Sequence, residues 1–510
     1  MIKTALISVS DKEDIVDFAK ELSKLNIRIL SSGGTADLLR KNKIPVTLIS
    51  DYIKTREMLD GRVKTMHPKI QAGILAVREN KKHMLELKKS DILPIDMVVV
   101  NFYPFENLIG KNTDIKTAVE SIDIGGPSMA RAAAKNFNDV IVVVDPKDYE
   151  PVMESLKNKK TDLKLKEKLA LKAFGHTARY DAIINSYLRE KFNADEFPEI
   201  LNLTFSKKQD LRYGENPHQK AAFYLDPIIY EHGLGTMKQL HGKELSFNNI
   251  LDIDNAFELV KSFRQPAATV VKHTNPSGCA IADKIEDAFK KAYEADTISA
   301  FGGVVALNRN CNKEIAEFLK NIFVEIVVCP KFEKGALEIL KQKKNLRLLE
   351  TGGIKVSEKG YYSSKVVGGL LAQSRNKPVL NKKNIKIVTK RKPTEEELRQ
   401  MMFAFNVTYH TKSNAIIFAK GNVTVGIGAG QMSRVDSVKI AAQKADSRAK
   451  GAVMSSDAFF PFRDGIDEAA KAGITAIIHP GGSIRDDEVI KAANEHNMAM
   501  VFTGIRLFWH

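Results

Sequence analysis

Adjacent Lys272 and His273 close a β-branched run at 269–271, and the chain continues Thr-Asn-Pro-Ser-Gly. A histidine can move a proton near neutral pH, and a neighbouring ammonium can steady developing negative charge. Pro276 restricts the residue before it to extended or turn geometry, so the run reads as a strand ending in a Pro-containing turn. Both side chains then stand at a strand end, where α/β proteins tend to bind ligands. Taken alone, residues 269–278 fit a strand-end histidine bonded to a loop carbonyl better than a catalytic one. Other segments shift that balance.

Five segments in the first 150 residues bring strand ends or loops together with anion-binding or proton-moving chemistry. Ser8-Val-Ser10-Asp11-Lys12 follows one apolar run, and Ser31-Ser32-Gly33-Gly34-Thr35 follows the next. Small residues admit backbone N–H groups to an anion, hydroxyls add donors, and a following helix N-terminus adds partial positive charge. A plain helix cap explains either loop about as well, but two such loops at one end of a sheet favour a phosphate site. Gly61-Arg62-Val63-Lys64-Thr65-Met66-His67-Pro68 puts two cations at alternate positions, on one side of an extended segment. Asn101-Phe102-Tyr103-Pro104 ends another apolar run with an amide and a phenol. Asp123-Ile124-Gly125-Gly126 leads a helix carrying Arg131 and Lys135, which share one face. Asp123, Lys64, Tyr103 and Lys135 together would bind a polar heterocycle and move protons on it.

The later sequence adds three dense loops. Arg212-Tyr213-Gly214-Glu215-Asn216-Pro217-His218 precedes the Lys-His strand. Gly426-Ile-Gly428-Ala-Gly430 resembles a dinucleotide fingerprint, but its third glycine falls one position early and no acidic residue follows a strand about 20 residues on. It reads better as a close-approach loop with Arg434 available to a phosphate. Ser455-Ser456-Asp457-Ala458-Phe459-Phe460-Pro461-Phe462-Arg463-Asp464 places consecutive aromatics in a loop, which suits a flat ring or a subunit contact.

These groups need elements to hold them. Apolar runs at 5–9, 27–30, 97–101 and 140–144 read as strands, with helices over 12–25, 35–42 and 126–136 and a long helical stretch over 148–192. That alternation argues for a parallel sheet covered on both faces. Polar, Pro-containing 193–200 reads as a junction, giving domains 1–198 and 199–510. The second shows a loose duplication, in which a strand end with Asn, a helix and a Gly-led strand recur around 270–307 and 411–460. It is divided at about 378 into two α/β subdomains, 199–378 and 379–510.

With 510 residues, 44% hydrophobic and 27% charged, the chain has the composition of a folded multidomain protein. Its net charge of +16 favours acidic partners, although the lysine runs at 157–168, 341–344 and 382–392 read as solvated surface. Only 7% aromatics and one tryptophan, with no recognition helix, argue against nucleic acid. Three dispersed cysteines suggest a reducing compartment and no cysteine-built metal site. The N-terminus turns polar too soon for a signal peptide, and no stretch nears the ~20 apolar residues of a membrane span. The expectation is a cytoplasmic protein.

Ser-Val-Ser-Asp-Lys, Gly-Arg-Val-Lys-Thr-Met-His-Pro, Asp-Ile-Gly-Gly, Arg-Tyr-Gly-Glu-Asn-Pro-His-Gln, Val-Lys-His-Thr-Asn-Pro and Ser-Asp-Ala-Phe-Phe-Pro-Phe-Arg-Asp occur in this order. So ordered, the chain resembles the bifunctional purine biosynthesis proteins. These join a formyltransferase acting on AICAR (5-aminoimidazole-4-carboxamide ribonucleotide) to an IMP cyclohydrolase. The resemblance spans essentially the whole chain. It implies a methylglyoxal-synthase-like parallel-sheet domain followed by two cytidine-deaminase-like α/β subdomains lacking zinc. The sequence has no H-x-E followed by P-C-x-x-C, as a zinc deaminase would need.

By the same resemblance, Ser10, Lys12, Ser32, Gly33, Gly34, Thr35, Arg62, Lys64 and Thr65 hold a nucleotide. Asn101, Tyr103, Asp123, Ile124, Gly125 and Gly126 line its base, and Lys135 carries a proton. Arg212, Tyr213, Gly302, Glu325, Asn414 and Arg434 contact AICAR, while Lys272 and His273 perform the transfer. Phe459, Asp464, Ser483, Ile484 and Arg506 face 10-formyltetrahydrofolate, the co-substrate. Phe102 stands where leucine is usual, Ser128 and Ala130 vary the following helix, and Glu325 replaces an aspartate found in some relatives. The resemblance further implies a homodimer and no catalytic metal, and is compatible with a structural monovalent cation.

Overall fold

Residues 2–55, 58–59, 63, 65–109, 113–158, 162–229, 231–357, 359–376 and 379–510 are described by a computed structural model, Lys382 by its backbone alone. The chain divides into two units, Met1–Phe205 and Ser206–His510.

In the first unit, five short apolar runs form strands β1 (Thr4–Val9), β2 (Arg28–Ser31), β3 (Thr47–Leu48), β4 (Met97–Asn101) and β5 (Ile141–Val143). They pair in parallel in the order β3-β2-β1-β4-β5. Parallel neighbours need crossovers, and amphipathic helices supply them. Helix Ile15–Lys24, for example, buries Ile15, Phe18, Ala19 and Leu22, a spacing that lines one helical face. The expected helical stretch over 148–192 is two helices, Tyr149–Lys157 and Leu163–Lys191. The strand order reverses direction between β1 and β4, which opens a crevice at their C-terminal ends.

In the second unit the strands are β6 (Ser206–Leu211), β7 (Ala221–Leu225), β8 (Lys238–His241), β9 (Ala267–Lys272), β10 (Asn275–Ile281), β11 (Val304–Leu307), β12 (Ile326–Cys329), β13 (Arg347–Glu350), β14 (Tyr361–Val366), β15 (Gly369–Ser374), β16 (Lys386–Ile387), β17 (Ile416–Lys420), β18 (Val423–Gly428), β19 (Val453–Ser456), β20 (Ala476–His479) and β21 (Ala499–Phe502). Twelve of them form one mixed sheet, β16-β21-β20-β19-β17-β18-β10-β9-β11-β12-β13-β8. The middle of this sheet is a duplication. Helix Phe247–Lys261, hairpin β9–β10 and then β11, β12 and β13 match helix Glu395–Tyr409, hairpin β17–β18 and β19, β20 and β21. Both helices have 15 residues and open with a capping box, on Ser246 and on Thr394.

The duplication therefore has a different unit from the one read in the sequence, since each half begins with a hairpin. No helix follows the strand end directly. Pro276 lies inside β10, where the register shifts before Gly278, and the turn itself is His273–Thr274. A proline is tolerated there because the irregular pairing leaves no N–H to be satisfied. The repeat extends to packing. A Cβ on Gly278 would lie 2.0 Å from the Ala292 carbonyl oxygen, and one on Gly426 would lie 2.1 Å from that of Ala441. Gly426 and Gly428 thus serve a helix lying close on β18, and the close-approach reading of this run holds for a helix, not for a ligand.

Strand directions decide where functional groups collect. β10 and β18 meet antiparallel at the centre of the sheet. The C-terminal end of β9 therefore shares an edge with the N-terminal ends of β11, β12 and β13. On the other half, the same edge receives the start of β17 and the C-terminal ends of β18, β19, β20 and β21.

Candidate functional site

In the first unit the crevice between β1 and β4 is built by one amide. Asn101, the last residue of β4, accepts the Ser10 N–H (2.6 Å) and the Asp11 N–H (2.8 Å) on Oδ1 and donates from Nδ2 to the Asp11 carbonyl (3.1 Å). This ties the loop after β1 to the end of β4. Thr35, buried in helix Gly33–Lys41, exchanges bonds with the Val9 backbone and accepts Lys12 Nζ at 2.8 Å. Burial lowers the Lys12 pKa from its ordinary value, opposed by Asp11. Ser32 is the N-cap of that helix, yet its side chain makes no capping bond. The first N–H groups of this helix, at Gly33 and Gly34, have no acceptor within the helix itself.

The Asp123 segment joins the same crevice. Asp123 Oδ1 accepts the Gly126 N–H (2.8 Å), the Tyr103 N–H is directed at the same carboxylate, and burial raises the Asp123 pKa. Tyr180 OH accepts the Asp123 N–H at 2.8 Å, and Phe102 packs against Tyr180. Thr65 is buried against Gly125, where an added Cβ would meet its hydroxyl at 2.4 Å. Tyr103 and Ile124 are more than half exposed, so they present their side chains outward. Ser10, Lys12, Ser32–Thr35, Thr65, Asn101, Tyr103 and Asp123–Gly126 are thus gathered at the strand ends. Arg62 and Lys64 lie outside the described residues. Lys135 does not join the cluster, because it closes the 11-residue helix whose first residue is Gly125. At 1.5 Å per residue, about 15 Å of helix separates Lys135 from the Asp123 end.

In the second unit, the sheet edge derived above carries most of the residues expected there, while Arg212 and Tyr213 follow β6 in the separate two-stranded sheet β6–β7. Lys272 ends β9 and donates to the Phe301 carbonyl at 2.8 Å, beside Gly302. His273 and Thr274 form a two-residue turn, since Lys272 pairs with Asn275 across β9 and β10. Both have positive φ, 52° and 58°. Histidine visits this region more readily than most residues, but for a β-branched threonine it is an outlier costing about 1–3 kcal/mol. The exposed His273 is held in a strained turn, where such geometry clusters at functional sites.

Arg212 stacks on the Tyr213 ring at 4.7 Å and donates to its hydroxyl at 2.9 Å, and Glu325 stands immediately before β12. Glu325 accepts Asn249 Nδ2 (3.2 Å) and pairs with Arg347 (3.5 Å). Asn275 Oδ1 accepts the Lys412 N–H at 2.9 Å, which links this group to the second half of the sheet.

There, Arg434 donates to Asn414 Oδ1 (2.7 Å), to Ser456 Oγ (2.7 Å) and to Asp457. Arg434 is therefore already engaged and 8% exposed, not a free phosphate ligand as its sequence context suggested. It positions the Asn414 side chain. Of the consecutive aromatics, Phe459 and Phe462 face outward, but Phe460 is core and packs edge-on against His479. Asp464 is exposed at the start of helix Asp464–Lys471, and Ile484 is fully exposed beside Ser483. Arg506 lies over the Phe508 ring at 4.6 Å.

Sequence reasoning missed Asp252, Asn249, Ser413, Asp457 and His479. Each acts through hydrogen bonds to backbone or to another side chain, and only Asp457 lay in a segment singled out by composition. Among the described residues no group of three or more His, Cys, Asp or Glu side chains is arranged to hold a metal ion. No described helix is long and apolar enough to cross a membrane.

A parallel sheet with a crevice at its switch point, followed by a duplicated α/β unit with charged and aromatic groups along one edge, is an architecture that α/β enzymes use for small-molecule ligands. The comparisons specify the family. Residues 133–444, more than half of the chain, match the model of the AICARFT/IMPCHase bienzyme family, and residues 14–128 match that of the MGS-like domain. The chain belongs to the AICARFT/IMPCHase bienzyme family. It is 55% identical to the bifunctional purine biosynthesis protein PurH of Acetivibrio thermocellus, over the full length of both. It is 53% and 52% identical to the proteins so named from a Thermoanaerobacter species and from Bacillus cytotoxicus, again over both full lengths.

Proposed function

We propose that the second unit transfers the formyl group of 10-formyltetrahydrofolate to the 5-amino group of AICAR, and that the first unit closes the product to IMP with loss of water. Family membership supports the pair of activities. The division of labour rests on one observation, the exposed His273 held in a strained turn next to Lys272, on the edge that also carries Asn414, Phe459 and Arg506.

The 5-amino group is a weak nucleophile because its lone pair delocalises into the imidazole and the carboxamide. As it attacks the formyl carbon, His273 takes its proton, and Lys272 stabilises the developing oxyanion or protonates the departing folate nitrogen. Arg212 and Tyr213, with Gly302, Glu325 and an Asn414 held by Arg434, orient AICAR. Phe459, Asp464, Ser483, Ile484 and Arg506 receive the folate. In ring closure the carboxamide nitrogen attacks the new formyl group and water leaves. Asp123, Tyr103 and Lys64 orient the folded conformer and move protons there. Ser10, Lys12, Ser32–Thr35, Arg62 and Thr65 hold the phosphate and ribose. Lys135 takes part only where a second copy of the chain presents it, which fits the homodimer that accompanies this reading.

A cytoplasmic location is part of the proposal, supported by three cysteines that are all free and buried. So is a structural monovalent cation, tested by replacing potassium with tetramethylammonium in the assay. The main experiment mixes purified protein with AICAR and 10-formyltetrahydrofolate and quantifies tetrahydrofolate and IMP together. Equal release of both supports the two-step reading. Tetrahydrofolate with formylated intermediate and no IMP removes ring closure from it, and no turnover rejects it.

A further inference from the structure

The duplication supplies an internal control for the catalytic turn. The offset that aligns Ser246 with Thr394 also aligns Lys272 with Lys420, Gly278 with Gly426, and the His273–Thr274 turn with Gly421–Asn422. Lys420 pairs with Val423 as Lys272 pairs with Asn275, and both lysines donate to a backbone carbonyl, of Lys450 (2.7 Å) and of Phe301 (2.8 Å). Gly421 and Asn422 have φ values of 57° and 62°. The two turns share one backbone shape. One builds it from glycine and asparagine, the residues best suited to positive φ, and the other from histidine and threonine.

The unsuited turn has a brace that the suited one lacks. Asp252, on the capped helix Phe247–Lys261, accepts the Thr274 N–H on Oδ1 at 2.6 Å, and the His273 N–H is directed at the same carboxylate. Its counterpart under the same offset is Gln400, which turns its amide to Glu396 at 2.9 Å instead. The Asp252 side chain is partly buried, and two backbone N–H groups directed at its carboxylate oxygens hold the turn without covering the imidazole.

We propose that Asp252 is a positioning residue for formyl transfer: its carboxylate clamps the His273–Thr274 backbone and so fixes where the His273 imidazole stands. The inference rests on the reading of His273 as the proton acceptor. It requires only an acceptor oxygen at this position and not a charge. A turn released from the clamp relaxes away from positive φ and carries the imidazole out of place, and a misplacement of about 1 Å can cost about 100-fold in rate.

Three variants test this. Asp252→Ala should lower kcat for formyl transfer by about 100-fold, with the KM for AICAR changed by less than about threefold, which also reports that the unit is folded. Asp252→Asn keeps the acceptor and should stay within about threefold of the parent rate. Thr274→Asn, which copies the second position of the other turn, should return at least about tenfold of the lost rate when added to Asp252→Ala. Loss in Asp252→Asn equal to that in Asp252→Ala, or no recovery with Thr274→Asn, overturns the proposal. Amide exchange at Thr274, followed by mass spectrometry without substrates, separates the clamp from the reaction. Faster exchange in Asp252→Ala is expected even if His273 proves not to be the proton acceptor, and unchanged exchange rejects the clamp.

Discussion

Arg434 and Asp457 form a buried ion pair at the edge of the second unit, their side chains 7% and 0% exposed. Asp457 also accepts Ser413 Oγ at 2.6 Å, and Arg434 holds Asn414. Removing one partner of such a pair strands the other charge away from water. Asp457→Asn or Arg434→Met should each cost about 3–5 kcal/mol of unfolding free energy. Denaturant titration of the two single variants and the double variant checks this. The double variant should be more stable than the sum of the singles, and strict additivity would show that the charges act independently.

His273 should matter to one reaction only. His273→Ala is expected to slow formyl transfer by about 10²–10⁴-fold while leaving cyclisation of supplied formylated AICAR unchanged. Single-turnover assays of the two steps measure both rates in one preparation. A near-parental transfer rate removes His273 from the mechanism.

Asp123 and Lys135 stand at opposite ends of one helix, yet both are assigned to ring closure. Asp123→Asn and Lys135→Ala should each abolish closure and spare formyl transfer. Co-expression of the two variants should restore closure in mixed pairs, because one shared site then has both residues. Absence of recovery would mean that Lys135 is not delivered by a second chain.

The paired glycines should fail alike. Gly278→Ala and Gly426→Ala each push a methyl group into a helix carbonyl that neither strand nor helix can move away from. Each should lose about 1–3 kcal/mol or more. Comparable shifts in the denaturant midpoint are expected, and a neutral substitution at either position would show that the helix there yields.

Acid should destabilise the second unit through its buried histidines. Burial lowers His410 and His479 from 6.5 to about 3. Between these values the unfolded chain binds a proton that the folded one does not, so stability is complete above pH 6.5 and falls as pH drops towards 3. Each histidine contributes a slope of about 1.4 kcal/mol per pH unit in that window. Unfolding of His479→Gln measured between pH 7 and 4 should show a shallower decline than the parent, and an equal slope would exclude His479 as a contributor.

Some of this was legible in the chain itself. The first sheet followed from short apolar runs separated by amphipathic helices, because period and burial are local properties. The loop pairs after β1 and β2, and the Lys-His pair at the end of β9, were legible because small residues, hydroxyls and cations concentrate in short segments. The hairpin that opens each half was not. Pro276 looked like the turn, whereas Thr274, a poor turn residue, forms it under the hold of Asp252 from a helix 22 positions earlier.

Residue type and order by themselves determined the family and the kind of chemistry, and they nominated the side chains proposed to meet ligands. Only the tertiary structure decided which of them stand together. Arg434 proved to be a buried brace because Asp457 lies beside it, Phe460 turned inward because His479 offers it a face, and Lys135 fell away from Asp123 because a straight helix sets the distance. Those outcomes depend on contacts between residues far apart in sequence, and the energy that fixes a side chain belongs to the pair and not to either member alone.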